Sequence, residues 1–139
     1  MMRVEIGGWD QMRQWAAPIR QTVFVDEQRV PVEMELDQWD PLSVHAVAFD
    51  AAGVAVGTGR LLPDGHIGRM AVLQQARGSG VGSELLLALM EEARRRGHRE
   101  TVLSSQTHAV GFYQRHGYAQ FGLEYMDAGI PHIDMRCAL

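Results

Sequence analysis

Lysine is missing from this chain: all 13 of its basic residues are arginines. Schiff-base chemistry on a lysine amine is thereby excluded, and so is the lysine of a Walker phosphate loop. Cysteine is nearly missing as well. A single Cys137 excludes an internal disulfide framework and a cysteine zinc site. Apolar runs are short. The longest, Leu85 to Met90, has six residues, far below the ~20 that a membrane-spanning helix needs. Met1-Met2-Arg3-Val4-Glu5 has no apolar stretch behind its basic residue and is not expected to be a signal peptide. What is present, 46% apolar and 22% charged residues over a length of 139, is a globular composition suited to one domain, residues 1–139. A soluble, cytoplasmic protein is expected.

The net charge of −4 is unevenly spread. Residues 26–40 hold six acids (Asp26, Glu27, Glu33, Glu35, Asp37, Asp40) against the single base Arg29. The rest of the chain is balanced to within one charge, so no broad basic face is expected for a nucleic-acid backbone. The acidic stretch reads either as a solvated loop or as a lure for a cationic partner such as an amine.

Periodicity orders the elements. Arg3 to Ile6 reads as a strand. From Asp10, a plausible N-cap, apolar residues recur at helical spacing through Met12, Trp15, Ile19 and Val23. Pro18 interrupts them at a cost of roughly 3 kcal/mol, so two short helices are expected rather than one. Asp26 to Pro41 reads as a long irregular loop. Val44–Phe49, Val54–Leu62 and His66–Val72, separated by Asp50-Ala51-Ala52-Gly53 and Pro63-Asp64-Gly65, form an antiparallel meander. Gly57 and Gly59 inside its middle strand suggest a bulge or a close backbone approach. The strongest helix follows Gly78, Gly80 and Gly82. Its stripe is Val81, Leu85, Leu86, Leu89, Met90 and Ala93, and Arg94-Arg95-Arg96 then Gly97 close it. Thr101–Ser105 is a strand placed for parallel pairing with the meander. A short helix capped by Thr107 and ending at His116 comes next, then strands Tyr118–Tyr125 and Ile133–Cys137. The expected fold is α/β (α+β): a mixed, mostly antiparallel sheet of about six or seven strands with helices on both faces.

Arg77-Gly78-Ser79-Gly80-Val81-Gly82-Ser83 joins a strand to the start of the strong helix. Glycines permit close backbone approach, the first helical turn has unpaired N–H groups, and the dipole favours negative charge. A phosphate or pyrophosphate ligand is expected there. A Walker loop is ruled out by the missing lysine. A G-x-G-x-x-G dinucleotide fingerprint is ruled out because the glycines are spaced two and two, after a meander strand.

Two motifs together resemble the GNAT N-acetyltransferase superfamily. Arg77 to Gly82 matches its R/Q-x-x-G-x-G/A motif. Gln106-Thr107-His108-Ala109-Val110-Gly111-Phe112-Tyr113 is similar to its N-x-x-A-x-x-F-Y pattern, with glutamine in the asparagine position. Val23-Phe24-Val25-Asp26-Glu27-Gln28, Glu35-x-Asp37 and Gly129-Ile130-Pro131-His132 resemble the ElaA-like branch. The resemblance covers nearly the whole chain and implies a three-layer acetyltransferase fold that uses acetyl-CoA as co-substrate. It further implies that the pyrophosphate lies on Arg77–Gly82 and Ser83, with the pantetheine arm against Met70, Ala71 and Val72. Gln106, Phe112 and Tyr113 would complete the cofactor site. Family members are often dimers, so a homodimer is consistent with the resemblance.

Acetyl transfer to an amine needs a base for the ammonium, a donor for the oxyanion and an acid for the departing thiolate. Tyr113 stands in the family's tyrosine position, and a phenol of pKa ~10 is protonated at neutrality. Glu27, then Glu35 and His132, are the candidates for the base; a water chain is the alternative. The expected activity is transfer of an acetyl group to a primary amine of a small molecule or peptide. The alternative is a non-catalytic acyl-CoA-binding or sensing module. No histidine or carboxylate grouping suggests a metal.

Overall fold

The computed structural model describes all of residues 1–139. Strand β1 (Arg3–Gly7) leads into helix α1 (Trp9–Arg20), and a short helix α2 (Val32–Glu35) follows. The meander comes next: β2 (Val44–Phe49), β3 (Ala55–Leu61) and β4 (Ile67–Val72). Helix α3 (Val81–Arg95), β5 (Glu100–Gln106), helix α4 (Val110–Gln114), β6 (Ala119–Asp127) and β7 (Ile130–Ala138) complete the chain.

The strands form two antiparallel sheets, β1-β2-β3-β4 and β5-β7-β6. The expected parallel pairing of β4 with β5 shrinks to one bridge, His66 to Val102. Beyond that bridge the two strands part.

Strand β2 is apolar on both faces because both are covered. Its Ala46 and Ala48 face α3 in the main core, whereas Val47 and Phe49 pack with Met12 and Ala16 of α1. Helix α3 lies unusually close to β3. A Cβ on Gly57 would stand 2.8 Å from Val81 Cγ1, and one on Gly59 would stand 2.9 Å from Leu89 Cδ1. Gly59 also faces a bulge: Thr58 pairs with Ala71 but Arg60 pairs with Gly68, leaving Arg69 in the surplus at φ 50°. Both readings of these glycines therefore hold.

Helix α1 corrects the expected break at Pro18. It runs on through the proline, starting after Gly8 rather than from an Asp10 cap. Burial of Met12, Ala16 and Ile19 offsets the roughly 3 kcal/mol penalty, since each large apolar side chain contributes about 1.5–3 kcal/mol. Past the proline the helix widens to a π-helical segment, Gln21–Glu27, with Gln28 N–H donating to Val23 O at 3.1 Å. The loop expected over residues 26–41 is in fact this segment's end, α2 and a 3₁₀ turn at Asp40–Leu42. Thr107 likewise caps nothing; it opens a 3₁₀ turn ahead of α4. Strand β6 has its own irregularity. Phe121 pairs with Asp134 and Tyr125 with His132, so the residues around Gly122 (φ 75°) bulge out.

Candidate active site

The chain from Gly78 to Ser83 offers a row of amides. Gly78 and Gly80 take φ of 80° and 88°, a left-handed conformation costly for L side chains. The first closed bond of α3 is Glu84 N–H to Gly80 O at 3.1 Å, and no side chain caps the helix. The N–H groups of Gly78, Ser79, Gly80, Val81, Gly82 and Ser83 donate to nothing within the chain. Phe112 covers the loop from the side: a Cβ on Gly82 would stand 3.4 Å from its Cζ. The result is a cradle of free amides at the positive end of a helix dipole, a setting that favours an anion. Ser83 holds His116 across it, Oγ to Nε2 at 3.0 Å.

The parted strands β4 and β5 open a cleft of 490 Å³ beside the cradle, and Met70, Ala71 and Val72 line one wall. Tyr113, from α4, is on another wall. Its ring packs edge-on against Phe112 and Tyr118, and its hydroxyl has no hydrogen-bond partner in the chain. Burial pushes the phenol up to about 12, so it carries its proton throughout the neutral range.

The π-helical segment roofs the cleft with Phe24, Glu27 and Gln28. Glu27 does not project free into it. Its carboxylate receives Arg77 Nη2 at 2.8 and 3.1 Å, while Arg77 Nε donates to Val72 O at 2.9 Å. Gln28 accepts from Gln106 Nε2 at 2.9 Å, tying the roof to the end of β5, and His108 Nε2 lies 2.7 Å from Gln106 Oε1.

Behind the roof the acidic stretch meets its countercharges inside the protein. Arg20 bonds the buried Glu35 carboxylate and reaches Asp40 at 2.8 and 3.1 Å. Arg60 pairs with Asp37 at 2.8 Å and with Asp40 at 2.9 Å, and Arg69 reaches Asp37 at 3.2 Å. Burial works against ionisation of Asp37, but Arg60 and Arg69 outweigh it and hold the carboxyl at about 2. The same contest, won by Arg20 and Arg60, keeps Asp40 below the usual carboxylate range. Neither a solvated loop nor a lure for an outside cation describes Glu35, Asp37 and Asp40, whereas Asp26 and Glu33 are exposed and hold no arginine, as a solvated loop would leave them. The three paired acids clamp α2 and the following turn to α1, β3 and β4.

His132, nearly buried at 9% exposure, comes from β7 and stacks on Tyr125. Its Nδ1 lies 2.7 Å from Ile130 O. A carbonyl can only accept, so Nδ1 carries the hydrogen, and the neutral ring keeps a bare Nε2. His132 lines both the cleft and a smaller chamber of 150 Å³ next to it. Of the sequence-predicted residues, Glu27, Tyr113, Gln106 and His132 share the cleft, whereas Glu35 lies on the chamber wall with its carboxylate turned to Arg20. Arg69 and Asp127, which line both cavities, escaped sequence reasoning; neither belongs to a motif. No helix is long and apolar enough to cross a membrane, and no three His, Cys, Asp or Glu side chains are grouped to hold a metal.

A parted α/β sheet with an amide cradle at the mouth of the gap defines the protein, as a class, as an acyltransferase. Comparison with known proteins narrows the class. Residues 21–139 match the acetyltransferase (GNAT) domain, and the chain belongs to that family. It is 41% identical over 121 residues to the uncharacterized N-acetyltransferase YjcF of Bacillus subtilis, covering 84% of this chain and 86% of that one. Among solved structures it is similar to an acyl-CoA N-acyltransferase from Pseudomonas aeruginosa (28% identity, TM-score 0.87, 99% and 100% of the two chains). Escherichia coli ElaA is also similar, at 25% identity and a TM-score of 0.86 over 99% of each chain.

Proposed function

We propose that the protein transfers the acetyl group of acetyl-CoA directly to a primary amine of a small molecule or peptide, within a ternary complex. The observation that carries this reading is the unbroken row of free amides from Gly78 to Ser83 at the mouth of the β4–β5 gap. When bound, acetyl-CoA would supply the activated thioester carbonyl. The cradle fits its diphosphate, because six consecutive backbone donors lack partners and glycine conformations keep side chains out of the way. The edge of β4 at Met70–Val72 suits the amide-bearing pantetheine arm.

The chain's own groups meet the remaining demands. His132 Nε2, with its lone pair free and its ring fixed by Ile130 O, takes a proton from the acceptor ammonium. Glu27 and Glu35 are weaker candidates, since each already neutralises an arginine. Tyr113 gives its proton to the sulfur as the carbon–sulfur bond breaks. It recovers one from the new amide nitrogen, so one proton is released overall. Its high pKa keeps the proton in place at neutral pH, makes the phenol a weaker acid, and leaves the tyrosinate strongly basic for that recovery. Glu27 positions Arg77 at the cradle rather than touching the acceptor.

Calorimetry with acetyl-CoA and thiol release in the presence of a panel of amines test the reading. Heat of association and amine-dependent thiol are expected. Absence of association would overturn it.

A further inference from the structure

The cleft and the adjoining chamber share Arg69, which is ion-paired with Asp37 but keeps one guanidinium nitrogen unbonded, and the exposed carboxylate Asp127. Arg69 stands on the β4 bulge at φ 50°, in the left-handed region that L residues rarely adopt. The bulge turns its guanidinium toward α2. Nε donates to Glu35 O at 3.2 Å, and Nη2 donates to Met34 O at 3.3 Å and to Asp37 at 3.2 Å. Nη1 makes no bond in the chain. Asp127, at the end of β6, lines the same two cavities, and its carboxylate has neither a hydrogen-bond nor an ion-pair partner. The contrast with the rest of the site is sharp. Glu27, Glu35, Asp37 and Asp40 all hold arginines.

Shape and polarity restrict what could bridge these two groups. The chamber's 150 Å³ equals the liquid volume of about five waters, enough for a short aliphatic chain. Phe24, Val30, Met34 and Ile130 give it apolar surface, about as much as its polar residues contribute.

We infer, building on the acetyl-transfer reading above, that the acceptor is a small apolar amino acid. Its carboxylate bonds Arg69 Nη1, its ammonium faces Asp127, and its side chain fills the chamber between Phe24 and Ile130. A carboxylate on a guanidinium makes a charge-assisted bond, whereas a neutral amide in its place leaves part of the arginine unanswered.

The test titrates L-leucine, L-leucinamide and isoamylamine into the protein saturated with CoA, followed by calorimetry, with thiol release from acetyl-CoA measured in parallel. Leucine is expected to bind at least tenfold more tightly than either analogue. Arg69→Gln should bring that ratio close to one, and Asp127→Asn should weaken leucine and leucinamide alike. Equal or better binding of leucinamide or isoamylamine to the unaltered protein would overturn the inference, as would failure of leucine, valine and alanine all to bind. The comparison on the unaltered protein needs no variant to fold. Thiol released from the two analogues with no preference for leucine would sink the amino-acid acceptor and leave acetyl transfer standing. Selective binding of leucine with no thiol from any amine would do the reverse.

Discussion

Replacing Arg20 by methionine removes the centre of the buried ion network while keeping most of the side chain's apolar bulk. Arg20 is 1% exposed, and its guanidinium lies 5.3 Å from the centre of the Trp9 ring. Its loss deprives the Glu35 carboxylate, 5% exposed, of its only partner and removes two of the bonds to Asp40. Asp40 retains Arg60 at 2.9 Å, so the main penalty falls on Glu35. Breaking a buried pair by removing one partner costs about 3–5 kcal/mol, a large part of the ~5–15 kcal/mol that holds a domain folded. At about 3 °C per kcal/mol for a chain of this size, Tm should fall by about 10–15 °C in a thermal melt at pH 7. Arg20→Met combined with Glu35→Leu should recover at least half of that fall, because an apolar pair of similar volume replaces a buried ion pair at little cost. A loss below about 1 kcal/mol, or no recovery in the double variant, would refute the claim that this network clamps α2 and the turn after it to the rest of the fold.

Four further outcomes are expected. Tyr113→Phe should lower kcat by about 10²–10⁴ with little change in the affinity for acetyl-CoA, since a general acid acts only in the transition state; steady-state kinetics decide it. His132→Gln should lower kcat/KM by about 10²–10⁴ with little change in the affinity for acetyl-CoA, and unchanged turnover would take His132 out of the base's role. Gly80→Ala, at φ 88°, should cost about 1–2 kcal/mol in urea unfolding and weaken acetyl-CoA in calorimetry by crowding the cradle. Stability should also fall in acid. Asp37, at about 2, and Asp40, also depressed, contribute stability that is complete above the ordinary Asp value of 3.8 and lost as pH drops toward 2. His45, whose pKa burial lowers, adds an earlier decline as pH falls through its ordinary 6.5, because the unfolded chain takes up that proton first. Urea midpoints against pH, with Asp37→Asn flattening the acid end, measure this.

Much of this arrangement is legible in the sequence where the signal is local. The stripe of α3, the glycines before it, the meander turns and the double-faced β2 each follow from residues close together in the chain. Pro18 misleads because its penalty is local whereas the compensation, burial of Met12 and Ala16 against Val47 and Phe49, is tertiary. The acidic stretch misleads for the same reason: Arg60 and Arg69 lie far along the chain from Asp37, and no spacing rule joins them. The parting of β4 and β5 leaves no mark in the pattern of either strand. Arg69 is hidden most deeply, since a bulge breaks the alternation by which a strand's inward residues are read. Tyr113 and His132 are legible as residue types at motif positions. The bare Nε2 of His132 depends on a carbonyl two residues away and needs coordinates.

Strand β6 ends one sheet with an open flank, and the bulge at Gly122 decides what that flank can do. Its ladder with β7 is interrupted into two runs of three paired residues, Ala119–Phe121 and Tyr125–Asp127. A foreign strand arriving from solvent would find no straight rail longer than either run, too short for amyloid-like stacking to gain a foothold. Contact with a neighbour along this border must therefore be made through protruding groups such as Leu123 and Met126, and not through shared backbone bonding.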